Sequence, residues 1–306
     1  MSTIAVSTPT YMSLRDWTML ILLGLLWGGS FFFARVAVLE IDPLVLVLLR
    51  VSIAAAALHI YLAVRGPSFA AALPLAGAFF GLAMLNNVIP FSLMFLGQTE
   101  LGAGLASVLN ATTPFWTVLL ANAFTDDEKL TGRKLAGIGL GIAGTAVMIG
   151  PGLFAGLGGP DWAKFALVGT AMSYGCAVIF ARRFRALPPP IVATGQLTAS
   201  TIIMIPVVLA TGGLGMLADA SSQAWASVVA LALVSTAIAY ILFFSLIASA
   251  GATNASLVTL IVPVFAILLG ALFLAERLAL FELAGMALIG SGLIVIDGRL
   301  LRRRTD

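Results

Sequence analysis

The chain has 306 residues, of which 61% are hydrophobic and only 9% are charged, and its mean hydropathy is +1.11. Soluble domains carry about 25% charged residues, so this composition excludes a soluble globular domain and indicates a protein that lies in lipid. The formal net charge of +3 comes from basic residues near the ends of apolar segments and does not indicate a nucleic-acid partner. The single cysteine, Cys176, excludes an internal disulfide and a cysteine-based metal cluster.

Ten apolar segments follow one another along the chain, each long enough to cross a hydrocarbon core about 30 Å thick. The first is too long for the apolar part of a signal peptide, so we expect it to be retained. The predicted helices cover residues 17–38, 43–64, 74–97, 102–124, 132–150, 163–184, 189–212, 224–249, 252–274 and 280–298. The sequence therefore predicts an all-α integral membrane protein with ten transmembrane helices.

The two halves of the chain carry the same motifs in the same order. In the first half these are Gly102-Ala103, Ala106-Ser107, Pro114, an acidic cluster, and Leu135-Ala136-Gly137 leading to Gly144. In the second half they are Gly251-Ala252, Ala255-Ser256, Pro263, Glu276, and Leu283-Ala284-Gly285 leading to Gly292. This duplication predicts two five-helix units, residues 1–150 and 151–306, with a Gly- and Pro-rich linker at residues 151–161.

Lysine and arginine are distributed unevenly between the two predicted membrane faces. With a cytoplasmic N-terminus, twelve of the 16 basic residues lie on the cytoplasmic side and three on the outer side, while Arg50 lies within a predicted helix. The positive-inside rule then predicts that both termini are cytoplasmic. Because each unit has an odd number of helices, the second enters from the opposite face, and the units are predicted to be inverted repeats. Such repeats allow one central site to open alternately to either side of the membrane.

The duplicated pattern, together with Trp27-Gly28-Gly29-Ser30 and Arg50, resembles the EamA-type drug/metabolite transporter superfamily. Within it, the chain is most similar to the YddG-type amino-acid exporters. The resemblance implies a secondary transporter of small metabolites in the bacterial inner membrane. One departure from the pattern lies in the first unit, where Asp126-Asp127-Glu128 stands in place of the single Glu276. Both Asp127 and Glu128 are therefore candidates for the equivalent acid.

Aromatic and polar side chains fall near the middle of several predicted helices, where polar groups are costly unless they face one another or a cavity. Aromatic faces with neutral amides and hydroxyls suit a neutral or zwitterionic metabolite. The candidate substrate-binding residues are Trp27, Asn86, Asn87, Asn110, Thr113, Trp116, Tyr174, Thr236 and Tyr240. Hydrogen bonds between helices are the alternative explanation of the polar side chains among them.

Arg50 is predicted to lie about 10 Å deep, at 1.5 Å per helical residue, and a charge at that depth needs a partner. Carbonyl groups at a helix end and a substrate carboxylate are both candidates. Ser107, Asn110 and Thr113 recur every three residues and are predicted to share one helix face.

Four prolines within the predicted helices are expected to act as hinges, with simple packing kinks as the alternative. They are Pro90, Pro114, Pro206 and Pro263. Pro114 and Pro263 occupy the same place in the two units, and each removes the backbone donor to the carbonyl four residues earlier, that of Asn110 or Thr259. Those carbonyl groups are expected to find other partners.

Two features that would indicate other functions are weak. Gly139, Gly141 and Gly144 match the pattern of dinucleotide-binding folds, but no strand precedes them, and the spacing of Gly137 and Gly141 favours close helix packing. His59 has no carboxylate partner in its predicted helix, so we interpret it as structural rather than as a proton relay.

The sequence thus predicts a transporter, not an enzyme, that exports small neutral or zwitterionic metabolites, including aromatic amino acids, by alternating access around a central cavity. We expect a small-molecule substrate, surrounding lipid, no cofactor, no metal, no nucleic-acid partner, and function as a monomer. An intramembrane enzyme and a passive channel or facilitator for another small solute are the alternatives.

Overall fold

The computed structural model describes residues 12–125, 131–149, 160–273 and 280–297, and within them every regular element is a helix. The all-α prediction is confirmed for this part of the chain. The acidic residues Asp126, Asp127, Glu128 and Glu276, and most of the predicted linker, lie outside the described residues.

The α-helices are numbered here in chain order. They are α1 (Leu14–Val38), α2 (Pro43–Arg65), α3 (Ala76–Ala83), α4 (Ile89–Glu100), α5 (Ala103–Asn110), α6 (Thr113–Phe124), α7 (Gly132–Ile149), α8 (Asp161–Phe180), α9 (Pro189–Thr211), α10 (Ser222–Ala232), α11 (Ala239–Ala250), α12 (Ala252–Ser256), α13 (Val258–Phe273) and α14 (Leu280–Asp297). Two π-helical turns connect α3 to α4 and α10 to α11, at Met84–Val88 and Leu233–Ile238. Short 3-10 helices cover Phe69–Leu75, Ala181–Phe184 and Gly213–Ala218.

Within the described residues, six helical stretches are long and apolar enough to cross a membrane. They are Leu14–Val38, Pro43–Val64, Ala72–Glu100, Asp161–Phe184, Pro189–Thr211 and Ser222–Ala250. Two shorter apolar helices cover Ala252–Ala266 and Ala287–Ile296. Helices occur in all ten segments predicted from the sequence, but the number of membrane crossings stays a prediction.

The helices begin where side chains can satisfy the free N–H groups of a first turn. At the start of α1, Ser13 Oγ accepts from the Asp16 N–H at 3.2 Å, and the Asp16 carboxylate accepts from the Ser13 N–H at 2.8 Å. At the start of α2, the Asp42 carboxylate accepts from the N–H groups of Leu44 and Val45, and Pro43 stands at the first helical position.

The fourth predicted helix is not continuous. It is divided into α5, which ends at Asn110, and α6, which begins at Thr113, with Pro114 in the first turn of α6. A proline is tolerated there because the N–H groups of a first turn have no partner within the helix. Asn110 and Thr113, predicted to share a face of one helix with Ser107, therefore lie on opposite sides of a break.

The other predicted hinges behave differently from one another. Pro90 is the second residue of α4, which follows the first π-helical turn, whereas Pro206 lies inside α9 without interrupting it. Pro263 also lies inside a helix, α13, and the break in this segment comes earlier, at Leu257. Pro206 therefore does not break its helix, because α9 accommodates the proline within one continuous element, and its role as a hinge stays a prediction.

Two of the carbonyl groups that these prolines leave unbonded have side-chain partners. The Asn86 carbonyl, four residues before Pro90, accepts from the Tyr240 hydroxyl at 3.2 Å. The Asn110 carbonyl, four residues before Pro114, accepts from the Thr113 hydroxyl at 2.7 Å. The first of these bonds joins the two halves of the chain at the first π-helical turn.

The most extensive helix contacts join the first half of the chain to the second. In these pairs α1 packs on α13, α2 on α9, α4 on α8 and α7 on α14. The two halves therefore share one interior instead of forming separate cores.

Glycines bring α7 and α14 into backbone contact. A Cβ atom on Gly137 would lie 2.6 Å from the carbonyl oxygen of Gly292, and one on Gly144 would lie 2.7 Å from that of Gly285. A Cβ on Gly141 would meet the side chain of Leu260 at 2.8 Å. Small residues permit such close approach in lipid, and the predicted packing role of Gly137 and Gly141 is confirmed.

A candidate substrate-binding cavity

A cavity lies between the two halves of the chain, at the level of the helix breaks and the first π-helical turn. The space free of protein atoms between its walls is about 600 Å³, a figure that includes space open to solvent. It is lined by Trp27, Ser30, Phe31, Arg50, Asn86, Phe91, Met94, Asn110, Thr113, Tyr174, Val178, Tyr240, Phe243, Ser256, Val258, Thr259 and Val262. Helices from both halves contribute to this lining.

Six of the nine predicted substrate-binding residues line this cavity, and Arg50 does so as well. The six are Trp27, Asn86, Asn110, Thr113, Tyr174 and Tyr240. They come from α1, the first π-helical turn, α5, α6, α8 and α11. The tertiary structure thus brings together side chains, such as Trp27 and Tyr240, that are 213 residues apart in the sequence.

The other three predicted residues do not line the cavity. Asn87 is fully buried; its Nδ2 donates to Ser200 Oγ at 2.8 Å, and its Oδ1 accepts from the Tyr240 hydroxyl at 2.6 Å. Thr236 is also fully buried and bonds to Arg50. Trp116 packs against the backbone near Gly175, where a Cβ atom would come within 2.9 Å of Trp116 Cβ. Asn87 and Thr236 therefore position residues that do line the cavity.

The Arg50 side chain is held from several directions although it is only 2% exposed. Its Nε donates to Thr236 Oγ1 at 2.8 Å, and its Nη2 is 3.4 Å from the carbonyl oxygen of Ser235. Its guanidinium carbon lies 3.9 Å from the ring centre of Phe91, a cation–π contact. Among the described residues no carboxylate pairs with Arg50. The sequence offers two kinds of partner for Arg50, helix carbonyl groups and a substrate carboxylate. The structure contains one of the first kind, the Ser235 carbonyl.

Each π-helical turn is bonded to a helix from the other half of the chain. Arg50 on α2 bonds to Ser235 and Thr236 of the second turn. In the reverse direction, α9 bonds to the first turn: the Asn86 Nδ2 donates to Gln196 Oε1 at 2.9 Å, and Asn87 donates to Ser200. Single π-helical turns inside α-helices occur frequently at functional sites, and here both lie beside the cavity.

Aromatic rings form one wall of the cavity. Trp27 meets Tyr240 edge-on, with ring centres 6.3 Å apart, and lies 5.2 Å from Phe243. Tyr240 in turn is anchored through its hydroxyl to Asn87 and the Asn86 carbonyl. This wall offers an apolar, rigid surface, because aromatic side chains have few rotatable bonds and its rings support one another.

His59 lies away from the cavity. Its Nε2 is 2.9 Å from Thr198 Oγ1 on α9, and its ring packs edge-on against Phe69, with centres 5.1 Å apart. His59 is thus part of the contact between α2 and α9. Its side chain has a hydrogen-bond partner there, which agrees with the interpretation of His59 as a structural residue.

Sequence reasoning missed several residues of the site. Phe243 and Met94 line the cavity but stand in apolar runs where nothing in the sequence separates them from lipid-facing neighbours. Gln196 and Ser200 bond to the first π-helical turn, and that turn has no sequence signature other than the following Pro90. Ser30 also lines the cavity, and the Trp-Gly-Gly-Ser motif that contains it marks the correct part of α1.

Comparisons with known proteins agree with this arrangement. The model of the EamA-like transporter family matches the chain twice, over residues 17–150 and 161–297. A probable amino-acid metabolite efflux pump of Escherichia coli strain K12 is 28% identical over 300 residues, which cover 93% of this chain and 95% of the relative. A probable terminal-alkyne amino-acid exporter of Streptantibioticus cattleyicolor is 29% identical over 211 residues, or 69% of each chain.

A solved crystal structure has a similar fold. It superposes with a TM-score of 0.71 at 20% sequence identity and covers 95% of this chain and 98% of its own. At that identity the likeness concerns the fold alone.

Proposed function

Because the chain belongs to the EamA-like transporter family, and is therefore a membrane transporter and not an enzyme, we propose that it exports small neutral or zwitterionic metabolites, amino acids among them. The transporter acts by alternating access around the central cavity. It lies in the inner membrane of a bacterium, crosses it with ten helices, and has both termini in the cytoplasm.

The composition of the cavity wall is the observation that carries this proposal. Aromatic rings alternate with neutral amides and hydroxyls, and among the described lining residues Arg50 is the one charged side chain. A polyanion such as a sugar phosphate would need several cations, and a polyamine would need carboxylates, whereas a neutral or zwitterionic solute with an apolar group matches this wall. The relatives from E. coli and S. cattleyicolor carry names that refer to amino-acid efflux or export, which supports the same substrate class.

The symmetry of the contacts supports an inverted repeat. By the motif pattern, Gly137 is the equivalent of Gly285, and Gly144 is the equivalent of Gly292. Since Gly137 meets Gly292 and Gly144 meets Gly285, the α7–α14 contact maps onto itself when the halves are exchanged. The reciprocal bonding of the two π-helical turns has the same character. Such symmetry allows the halves to exchange conformations and so expose the cavity to either side.

In this proposal the interruptions near the cavity serve as hinges. The break before Pro114, the break at Leu257 in the segment of Pro263, and the π-helical turn before Pro90 lie where the helical hydrogen-bond ladder is already altered. Motion at these points costs less than breaking a regular helix, because fewer backbone bonds must be replaced. Pro206, inside the continuous α9, is the least suited of the four to this role.

Transport in proteoliposomes tests the proposal. Purified protein is assayed with radiolabelled aromatic and aliphatic neutral amino acids, sugar phosphates and polyamines, with and without a pH gradient. We expect saturable transport of neutral amino acids, accelerated when the opposite side holds unlabelled substrate, because a site that opens alternately is carried back faster when loaded. Transport confined to sugar phosphates or polyamines would contradict the substrate class, and flux without saturation or acceleration would favour a channel.

Two matched substitutions connect this activity to the cavity. Asn87→Leu removes the acceptor for Tyr240, and Asn110→Leu removes an amide from the wall, so both should lower transport while the purified protein stays monodisperse. Asn122→Leu makes the same change at an exposed position of α6 and serves as the control. Wild-type transport rates in both test variants would contradict the proposal that the cavity holds the transported solute.

A further inference from the structure

In the part of the chain that the structure describes, two buried polar atoms of the cavity wall have no hydrogen-bond partner, and one is a donor while the other is an acceptor. Among the described residues, Arg50 (2% exposed) has no acceptor for its Nη1, and Asn110 (5% exposed) has no donor to its Oδ1. Most buried polar atoms in folded proteins are paired, so an unpaired one calls for an explanation. A bound solute that satisfied both atoms would provide one.

The Arg50 guanidinium is held in a fixed orientation, and its Nη1 is the nitrogen that has no partner among the described residues. Its Nε donates to Thr236 and its Nη2 to the Ser235 carbonyl, and the ring of Phe91 covers one face of the guanidinium. A charge this deeply buried is stable only when it is paired, and carbonyl, hydroxyl and aromatic contacts leave its net charge uncompensated. Guanidinium groups bind carboxylates strongly and in a defined geometry. Arg50 Nη1 is therefore suited to a carboxylate that arrives with the solute.

Asn110 offers the complementary group. It is the last residue of α5, where the helix breaks before Thr113, and its backbone carbonyl is already used by the Thr113 hydroxyl. Its side-chain oxygen remains as an acceptor at the C-terminal end of a helix, where the helix dipole favours positive charge. This position is suited to an ammonium group, which can only donate hydrogen bonds.

We propose that Arg50 and Asn110 form a zwitterion-binding pair, in which Arg50 Nη1 binds the α-carboxylate of an amino acid and Asn110 Oδ1 binds its α-ammonium. The side chain of the amino acid lies against the aromatic wall of Trp27 and Phe243. This inference rests on the proposed function, since it requires that the cavity holds the transported solute. It adds that the free α-amino and α-carboxyl groups together are what the protein recognises.

Blocked derivatives of one amino acid test the pair. The parent compound is the neutral amino acid that the wild type transports best, and the competitors are its amide, which lacks the carboxylate, and its N-acetyl form, which lacks the ammonium. Inhibition constants are measured against labelled parent. For the wild type we expect the parent to bind roughly 10- to 100-fold more tightly than either derivative, because each lacks one charge-assisted hydrogen bond.

The two variants should lose different halves of this preference. Arg50→Gln should lose the preference over the amide but keep that over the N-acetyl form, and it should bind the cationic amide more tightly than the wild type does, since a like charge has been removed. Asn110→Leu should lose the preference over the N-acetyl form but keep the preference over the amide. Asn122→Leu should keep the wild-type preferences. A purely structural role would weaken all three ligands alike.

Several outcomes would contradict the assignment of Arg50 and Asn110 as the zwitterion-binding pair. Equal losses for all ligands in Arg50→Gln and Asn110→Leu would do so, as would an Asn110→Leu variant that still rejects the N-acetyl form. If Arg50→Gln does not fold, Arg50→Lys retains the charge and should still prefer the parent over the amide; loss of that preference in folded protein contradicts the role of Arg50. Failure of the wild type to transport any amino acid would instead remove the proposed function itself.

Discussion

The contact between α7 and α14 allows a sharp test of the fold in the substitution Gly137→Ala. The new Cβ would lie 2.6 Å from the carbonyl oxygen of Gly292 and would also meet the Ile296 side chain. Non-bonded heavy atoms pack best at about 3.5–4.0 Å, so the two helices would have to separate by roughly 1 Å. Overpacking of this kind costs about 1–3 kcal/mol, and the helix preference of alanine over glycine, about 1 kcal/mol, offsets part of that cost. The free energy of unfolding should therefore fall by up to roughly 2 kcal/mol.

The same helix supplies a matched control in Gly139→Ala. A Cβ atom at Gly139 would meet none of the described residues within 4 Å, and alanine favours a helix over glycine by about 1 kcal/mol. This variant should therefore be as stable as the wild type or more so. Gly292→Ala should resemble Gly137→Ala, because its Cβ would lie 2.5 Å from the Gly137 carbonyl oxygen.

Thermal unfolding in detergent, followed by tryptophan fluorescence, compares the four proteins directly. The expected order of melting temperatures is Gly139→Ala and wild type above Gly137→Ala and Gly292→Ala. Equal melting temperatures for Gly137→Ala and Gly139→Ala would refute the close approach of α7 and α14, and with it the strongest support for symmetric halves.

Two further predictions concern topology and coupling. If the charge bias sets the orientation, reporter fusions should give cytoplasmic signals at three positions, namely Arg65, Lys134 and Arg183. A periplasmic signal at any of them would break the inverted ten-helix arrangement. His59→Gln should retain much of the transport activity, because glutamine can replace the bond to Thr198 and His59 does not line the cavity. Complete loss of transport in folded His59→Gln protein would instead favour proton coupling through this histidine.

The sequence by itself determined the class of the protein. A membrane-spanning helix satisfies its backbone hydrogen bonds within one segment, so apolar length and composition suffice to predict it. The duplicated motifs indicated two related halves for the same local reason. Burial of polar groups in hydrocarbon is costly, which is why the depth of Asn110, Thr113 and Tyr174 already marked them as residues of a central site.

Only the tertiary structure decided which of these side chains face the cavity. Asn86 and Asn87 are neighbours at the same depth, yet Asn86 lines the cavity while Asn87 holds Tyr240 from behind. A sequence reports depth along a helix, but the direction of a side chain depends on local winding, which the π-helical turn at Met84–Val88 changes. The partners of Arg50 lie about 185 residues further along the chain. Contacts of that kind are set by how helices from the two halves pack, and no single segment encodes them.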